Sequence, residues 1–401
     1  MNNQPGARTR VFLHVGSPKT GTTFLQNVLW SQEKTAAAQG LLLPLERFAD
    51  HYLASLDIRG LSSRPEHPEW AVGIWDRMVE EARTWDGSVL VSHELLSAAT
   101  AEQAEKAVAS FGPDAEVHVV LTARDLVRQM SAEWQEHVKH RSVKTFGQFV
   151  QDLRSDRRRK SWFWKVQDFA AIAERWGATL PAHQVHVVTV PPSGAAPEAL
   201  WVRYATVLGL DPTSFDTNLS RANTSLGVEQ AELLRRVNVE LGDRLPLPGP
   251  YPAVVKNVLA HQVLGGRPGT RLRLDPGDTE FALEESARIA QELKNLGVDV
   301  VGSLDDLLPD AEAARAGAST SAYESPDEGV ILQESVAAMA DLLVRLADRR
   351  QERRQAEAMR RMKDRPVRFA LLAASERSRV LMRLRGLYER WRPPEEGHPP
   401  A

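Results

Sequence analysis

The sequence predicts an α/β fold: a parallel β-sheet of about five strands between helical layers, followed by a helical carboxyl-terminal extension. Three observations carry this expectation. Over the first three hundred residues, short β-branched runs alternate with longer stretches of helical periodicity, the pattern of βαβ units. The first of these runs leads directly into a Gly/Thr-rich turn and a helix start over residues 11–25. After Pro309 the composition changes to Ala, Gly, Ser and Thr, and then to a strongly basic tail.

Five runs read as buried strands: Val11–Val15, Leu41–Leu43, Val89–Val91, Val117–Leu121 and Val185–Val190. The helical stretches between them supply right-handed crossovers and cover both sheet faces. Val298–Val301 fits either an added strand or a loop. A polar turn at Arg221–Gly227 opens a helix over Val228–Leu241, with Ser225 as its candidate cap. Ala311–Ser325 has no periodicity and reads as a linker, so the expected units are an α/β domain over 1–309, a linker over 310–329 and a basic extension over 330–401. Two helices are expected in the extension. Leu332–Arg349 carries Val336, Met339, Leu343 and Leu346 in register, and Val367–Trp391 follows, separated from it or kinked at Pro366.

A chain of 401 residues accommodates one large domain with an appendage. Its formal charge of −3 makes the chain as a whole neither a polyanion binder nor an acidic solvating tail, and no nucleic-acid partner is expected. The average hides an asymmetry: Arg345–Arg392 holds 16 basic and 6 acidic residues, net +10, leaving −13 on the rest. The absence of cysteine excludes disulfides, thiol nucleophiles and thiolate metal sites, and suits a reducing, cytoplasmic compartment. Met1–Arg10 is polar and lacks the apolar core of a secretory signal. No apolar run approaches the ~18 residues of a spanning helix, so membrane contact would be peripheral.

The most informative segment runs from Val11 to Leu25, where strand, tight loop and helix start succeed one another. Glycines let backbone N–H groups turn inward, and the following helix adds its free donors and positive dipole end, so an anion is expected there. Gly16 and Gly21 have the spacing of a nucleotide-kinase phosphate loop, but Thr22 stands where that pattern requires Lys. The lysine lies inside the loop, at Lys19, shifted towards whatever group hangs from the bound phosphate. That position suits neutralising a leaving oxygen and argues against Mg-ATP chemistry.

Pro18-Lys19-Thr20-Gly21-Thr22-Thr23 resembles the 5′-phosphosulfate loop of sulfotransferases that use 3′-phosphoadenosine 5′-phosphosulfate (PAPS). The resemblance implies a P-loop-like three-layer fold, PAPS as donor co-substrate, 3′-phosphoadenosine 5′-phosphate (PAP) as product and no metal. It also demands a second anion site for the 3′-phosphate. After Val117–Leu121 come Arg124, Arg128 and Ser131, spaced along one helical stripe if the helix begins at the arginine. A guanidinium fork and a hydroxyl suit a phosphate. In the family, an Arg at the strand end and a Ser one to two turns later hold the 3′-phosphate; the spacing here is seven, against eight in familiar cytosolic members. Arg221 and Asn223 resemble a segment that returns towards the nucleotide in bacterial relatives, with helix capping as the other reading. Segments Trp164–Gly177, Arg221–Asn238 and Val258–Pro309 look like actinobacterial members generally.

Sulfuryl transfer needs a base beside the phosphate loop, where the adjacent strand ends. Val89–Val91 leads into His93 and Glu94, both competent, and successive residues point different ways. Cytosolic small-molecule sulfotransferases resemble this chain in a His there, whereas many carbohydrate sulfotransferases use a Glu; Glu94 is favoured. His137 and His140 lie one turn apart without further metal ligands in register, and His14 reads as a core or loop-support residue. The run from Arg157 to Trp164 reads as a helix end docked by its tryptophans, with an acceptor-lining role as the alternative. The basic tail reads first as a mobile or self-packing extension, and second as a contact for an anionic membrane surface, which would suit a lipid-linked acceptor.

The expected reaction is transfer of a sulfuryl group to a hydroxyl or amine of a small-molecule, carbohydrate or glycolipid acceptor. Two rivals stand beside it: a small-molecule or nucleotide kinase on the same fold, and a degenerate nucleotide-binding scaffold that acts through its tail. Fold and donor site leave acceptor identity and oligomeric state open.

Overall fold

The computed structural model describes residues 9–156, 158–218, 225–318 and 326–364. Six parallel strands form one sheet: β1 (Thr9–Gly16), β2 (Leu41–Leu42), β3 (Ser88–Ser92), β4 (Ala115–Ala123), β5 (Val185–Thr189) and β6 (Asp299–Val301), in the spatial order β2-β3-β1-β4-β5-β6. The five expected strands are present, and residues 299–301 add the sixth by pairing with His186–Val188. The strands read as continuous apolar runs because helices cover both faces. Phe12, Leu90, Val120 and Val188 share one face with Leu25, Val28 and Leu29 of helix α1 (Thr22–Ser31) and with Trp201, Tyr204 and Ala205 of the helix Ala199–Leu208. Alternate residues Leu13, Val91, Val119 and Val187 point to the other face, where the helix Phe169–Gly177 packs with buried Ile172, Ala173 and Trp176.

The order of the strands positions the site. From β1 the chain first runs to the edge strand β2 and returns through β3 beside β1, and then crosses to the other side for β4 to β6. Strand direction is common to all, so the loops leaving β1, β3 and β4 emerge together at the carboxyl edge where the winding reverses. Such a switch point opens a crevice. Val11 pairs with Val89 on one side and Val117 on the other, and the register with β4 shifts between His14 and Gly16, which pairs with Leu121.

Three local expectations change. The helix after β4, α2, spans Leu126–Lys139, with Asp125 as its cap accepting the Arg128 N–H at 2.9 Å, so Arg124 precedes the helix instead of starting it. The helix Val228–Leu241 is preceded by Gly227, not capped by Ser225; Gln135 instead holds the entering chain, bonding both the N–H and C=O of Leu226 at 3.1 and 3.0 Å. Part of the stretch read as linker is helical. Ala311–Ala316 is rich in the best helix former, is capped by Asp310, and is tied to Glu280 through Arg315 at 2.5 and 3.0 Å.

The chain divides into two compact units, Met1–Ser335 and Val336–Ala401. A helix spans Glu328–Asp364, longer than the expected Leu332–Arg349, and in the second unit Val336, Met339, Leu343 and Leu346 recur along it as exposed residues. The second expected tail helix, Val367–Trp391, lies outside the described residues. No helix among the described residues is long and apolar enough to cross a membrane.

Candidate active site

The loop after β1 is built from the inside. Ser17 donates its N–H to Thr122 O at 3.1 Å, while the Thr20 hydroxyl donates to Ser17 O and meets the Thr122 hydroxyl, both at 2.5 Å. Ser17 and Thr20 are fully buried, so Thr20 does not line the cleft; its hydroxyl serves the loop's own scaffold. Gly16 has a φ of +102°, and a Cβ there would lie 2.7 Å from Glu94 Cα, so only glycine fits. Gly21, at +88°, turns the chain into α1, and its carbonyl accepts the Phe24 and Leu25 N–H groups at 3.0 and 3.2 Å. The first-turn amides of Thr22 and Thr23 have no intrahelical acceptor and stand at the cleft, beside Pro18, Lys19 and Gly21.

The second crossover grips the first. Arg124 donates from Nη1 to Lys19 O at 3.1 Å, while Gln129 and Gln167 donate to Pro18 O at 2.6 and 3.1 Å. These bonds hold Lys19 at a φ of +63°, a left-handed conformation that costs a non-glycine residue about 1 kcal/mol. Arg124 Nε is buried with no hydrogen-bond partner, and burial, with Arg128 and Arg271 nearby, lowers the guanidinium pKa to about 10. A guanidinium donor left open in this way can give a charge-assisted bond to an oxyanion. Ser131 and Arg271 line the same cleft. Arg128 lines it too, while pairing with Asp125 and donating to Pro191 O at 3.2 Å.

Lys19 and Arg124 therefore open onto one cleft of about 1970 Å³, which His93 and Glu94 also line. Lys19 Nζ contacts Glu136 Oε2 at 2.5 Å, and the other oxygen of Glu136 takes Lys256 at 2.8 Å and His140 at 3.0 Å. Burial opposes the charge on Glu136, but His140, Lys19 and Lys256 together hold its carboxyl well below the usual carboxylate range. One helical turn back, burial pushes Glu133 up to about 7, against the pull of Lys19 and a 2.6 Å bond from Gln167.

The two candidate bases differ. His93 is 6% exposed, and its Nδ1 accepts the Leu95 N–H at 3.2 Å, so the neutral ring carries its hydrogen on Nε2. Burial lowers its pKa, although adjacent Glu94 pulls the other way. Glu94 is half-buried, with Gln26 donating to Oε2 at 3.4 Å. His14, fully buried, bonds Ser92 Oγ at 2.7 Å, and burial, then His93, lower its pKa to about 3; it supports the strand ends.

A search of family models finds none that matches the chain, and none of the curated proteins matches it. One solved structure aligns loosely. A sulfotransferase from Alicyclobacillus acidocaldarius covers 53% of this chain and 86% of its own, at 17% identity and a TM-score of 0.36. Likeness at that level leaves the chemistry to the residues of the cleft.

Several of those residues carry no sequence motif. Glu133, Glu136 and Lys139 follow Arg124 on α2, Lys256 and His261 come from a π-helix, Pro252–Leu264, and Arg271 from the loop beyond it. Their polar spacing along α2 was the available signal. His137 packs edge-on to Phe149, and no group of three acidic or histidine residues among the described residues could hold a metal. Trp164 is buried beneath Arg159, which also bonds both oxygens of Glu285 at 2.7 Å, whereas Trp162 lines the cleft. Arg157, Arg221 and Asn223 lie outside the described residues.

Proposed function

We propose that the protein transfers a sulfuryl group from PAPS to a hydroxyl or amine of a small-molecule, carbohydrate or glycolipid acceptor, releasing PAP. The observation that supports this reading is the bond from Arg124 to the Lys19 carbonyl. It joins cations from two separate crossovers at one cleft, while leaving Arg124 Nε without a partner. A nucleotide with a phosphate at each end of its ribose needs such a pair.

The donor supplies the activated sulfuryl group as an anhydride with phosphate. At the 5′ end, the first-turn amides of α1 and the Lys19 ammonium neutralise the oxygen that gains charge. Releasing Lys19 from Glu136 leaves that carboxylate still paired with Lys256 and His140, so the exchange exposes no lone buried charge. Arg124 and Ser131, with Arg271 nearby, take the 3′-phosphate; Arg128 positions the helix start through Asp125. Glu94 accepts the acceptor proton as the new S–O or S–N bond forms. His93, with its lone pair turned to Leu95 N–H, holds the neighbouring backbone. A reducing, cytoplasmic setting completes the proposal, with peripheral membrane contact through the tail kept as the second reading of that extension.

Thermal stabilisation by PAP, ADP and AMP tests the donor. At 100-fold excess over Kd, PAP should add about 2.7 kcal/mol of stability, with ADP and AMP clearly weaker. Equal stabilisation by all three, or magnesium-dependent preference for ATP, would reject the reading.

A further inference from the structure

Beyond the Lys19–Glu136 contact the cleft continues into a cation cluster that the donor does not account for. Lys139, at the end of α2, lines the cleft with only 6% of its surface exposed. Its ammonium makes no hydrogen bond or ion pair among the described residues. Across from it stand Lys256 and His261 of the π-helix, with the Lys256 ammonium 2.5 Å from His140 Nε2. Three ammonium groups, of Lys19, Lys139 and Lys256, thus lie about the Glu136 carboxylate, with Glu133 one turn back along α2. Burying unmatched like charges is costly, and a cluster retained in a solvent-open cleft fits an arriving anion.

The order of groups along α2 separates this cluster from the donor anchors. Ser131 and Lys139 are eight residues apart, about 12 Å along a helix axis, with Glu136 and the Lys19 ammonium between them. On the proposed donor reading, on which this inference rests, the 5′ and 3′ groups occupy the loop and the Arg124–Ser131 end. The cluster lies on the far side of Lys19.

We infer that Lys139, Lys256 and His261 form an acceptor subsite for an oxyanion, so that the molecule receiving the sulfuryl group already carries a phosphate, sulfate or carboxylate. The anion seats on Lys139 and Lys256, and the acceptor hydroxyl or amine is directed back towards Lys19 and Glu94.

Isothermal titration of the full-length chain, saturated with PAP, compares phenyl phosphate with phenol. Phenyl phosphate should bind at least tenfold more tightly. Lys139→Met, which keeps the buried stem, should cut that preference to under threefold while changing PAP affinity less than twofold, and Lys256→Ala, on a more exposed residue, should cut the preference to under threefold as well. Equal binding of the two probes by the wild type, or a preference that survives both substitutions, overturns the subsite. If PAP fails to bind the wild type, the donor reading falls separately, and the same titrations on the nucleotide-free protein still decide whether Lys139 and Lys256 hold the anion.

Discussion

The two crossovers that meet at the cleft are held by different physics. The loop after β1 is fixed by uncharged bonds among buried Ser17, Thr20 and Thr122 of β4, and by glycines at positive φ. The helix after β4 presents charged side chains whose partners lie more than a hundred residues away, Lys19 and Lys256 on Glu136 among them. The loop is therefore a preformed mould, whereas the helix is a set of exchangeable ion pairs. Substitutions in the first should damage shape, and substitutions in the second should change charge while leaving the backbone in place.

The sharpest test is Lys19→Ala. It removes the cation proposed to neutralise the leaving oxygen and should lower the transfer rate by about 10²–10³-fold or more, as measured with labelled PAPS, while the melting temperature stays close to wild type. Unchanged activity would remove Lys19 from the mechanism.

Glu133 offers a test through pH. Its folded pKa, raised to about 7, exceeds its unfolded value, so its contribution to stability is fully present below the unfolded pKa and is lost as pH rises through about 7. Glu133→Gln keeps the acceptor for Gln167 and should flatten denaturant stability between pH 4.5 and 8, a change of up to about 3 kcal/mol. An identical pH profile in the variant would show that the carboxyl titrates normally.

Arg124→Ala should weaken PAP by about 10–100-fold, the worth of a charge-assisted bond, and leave AMP nearly unaffected because AMP has no 3′-phosphate. Equal losses for both nucleotides would place the guanidinium's effect in the loop instead. Thr20→Val strips the bonds to Ser17 O and the Thr122 hydroxyl, and should cost about 1–3 kcal/mol in urea unfolding. A neutral result would mean that the mould holds without them.

Legibility followed the same division. The strands and the Lys19 loop could be read from the sequence because apolar runs, glycine spacing and a helix start are local signals. Arg124 and Ser131 were read together and both line the cleft, although the helix start at Leu126 was missed: Asp125 bonds the Arg128 N–H and so caps the helix one residue after the arginine. Thr20 was assigned to the ligand, yet the fold turns its hydroxyl inward to Thr122, a residue of another strand. Glu133, Glu136, Lys139 and Lys256 were passed over for the same reason: polar spacing along α2 was there to read, but its significance arises only when α2 and the π-helix are brought together. The helix at Ala311–Ala316 was overlooked because six residues are too few for periodicity to register.

Gly16 ties the two halves of the reaction to a single backbone atom. The space a side chain would need there is filled by the main chain of Glu94, the proposed proton acceptor. Enlarging position 16 would thus push the acid-base group and the anion cradle apart in one movement, so tolerance to substitution there should be close to nil even though the residue itself touches no reactant.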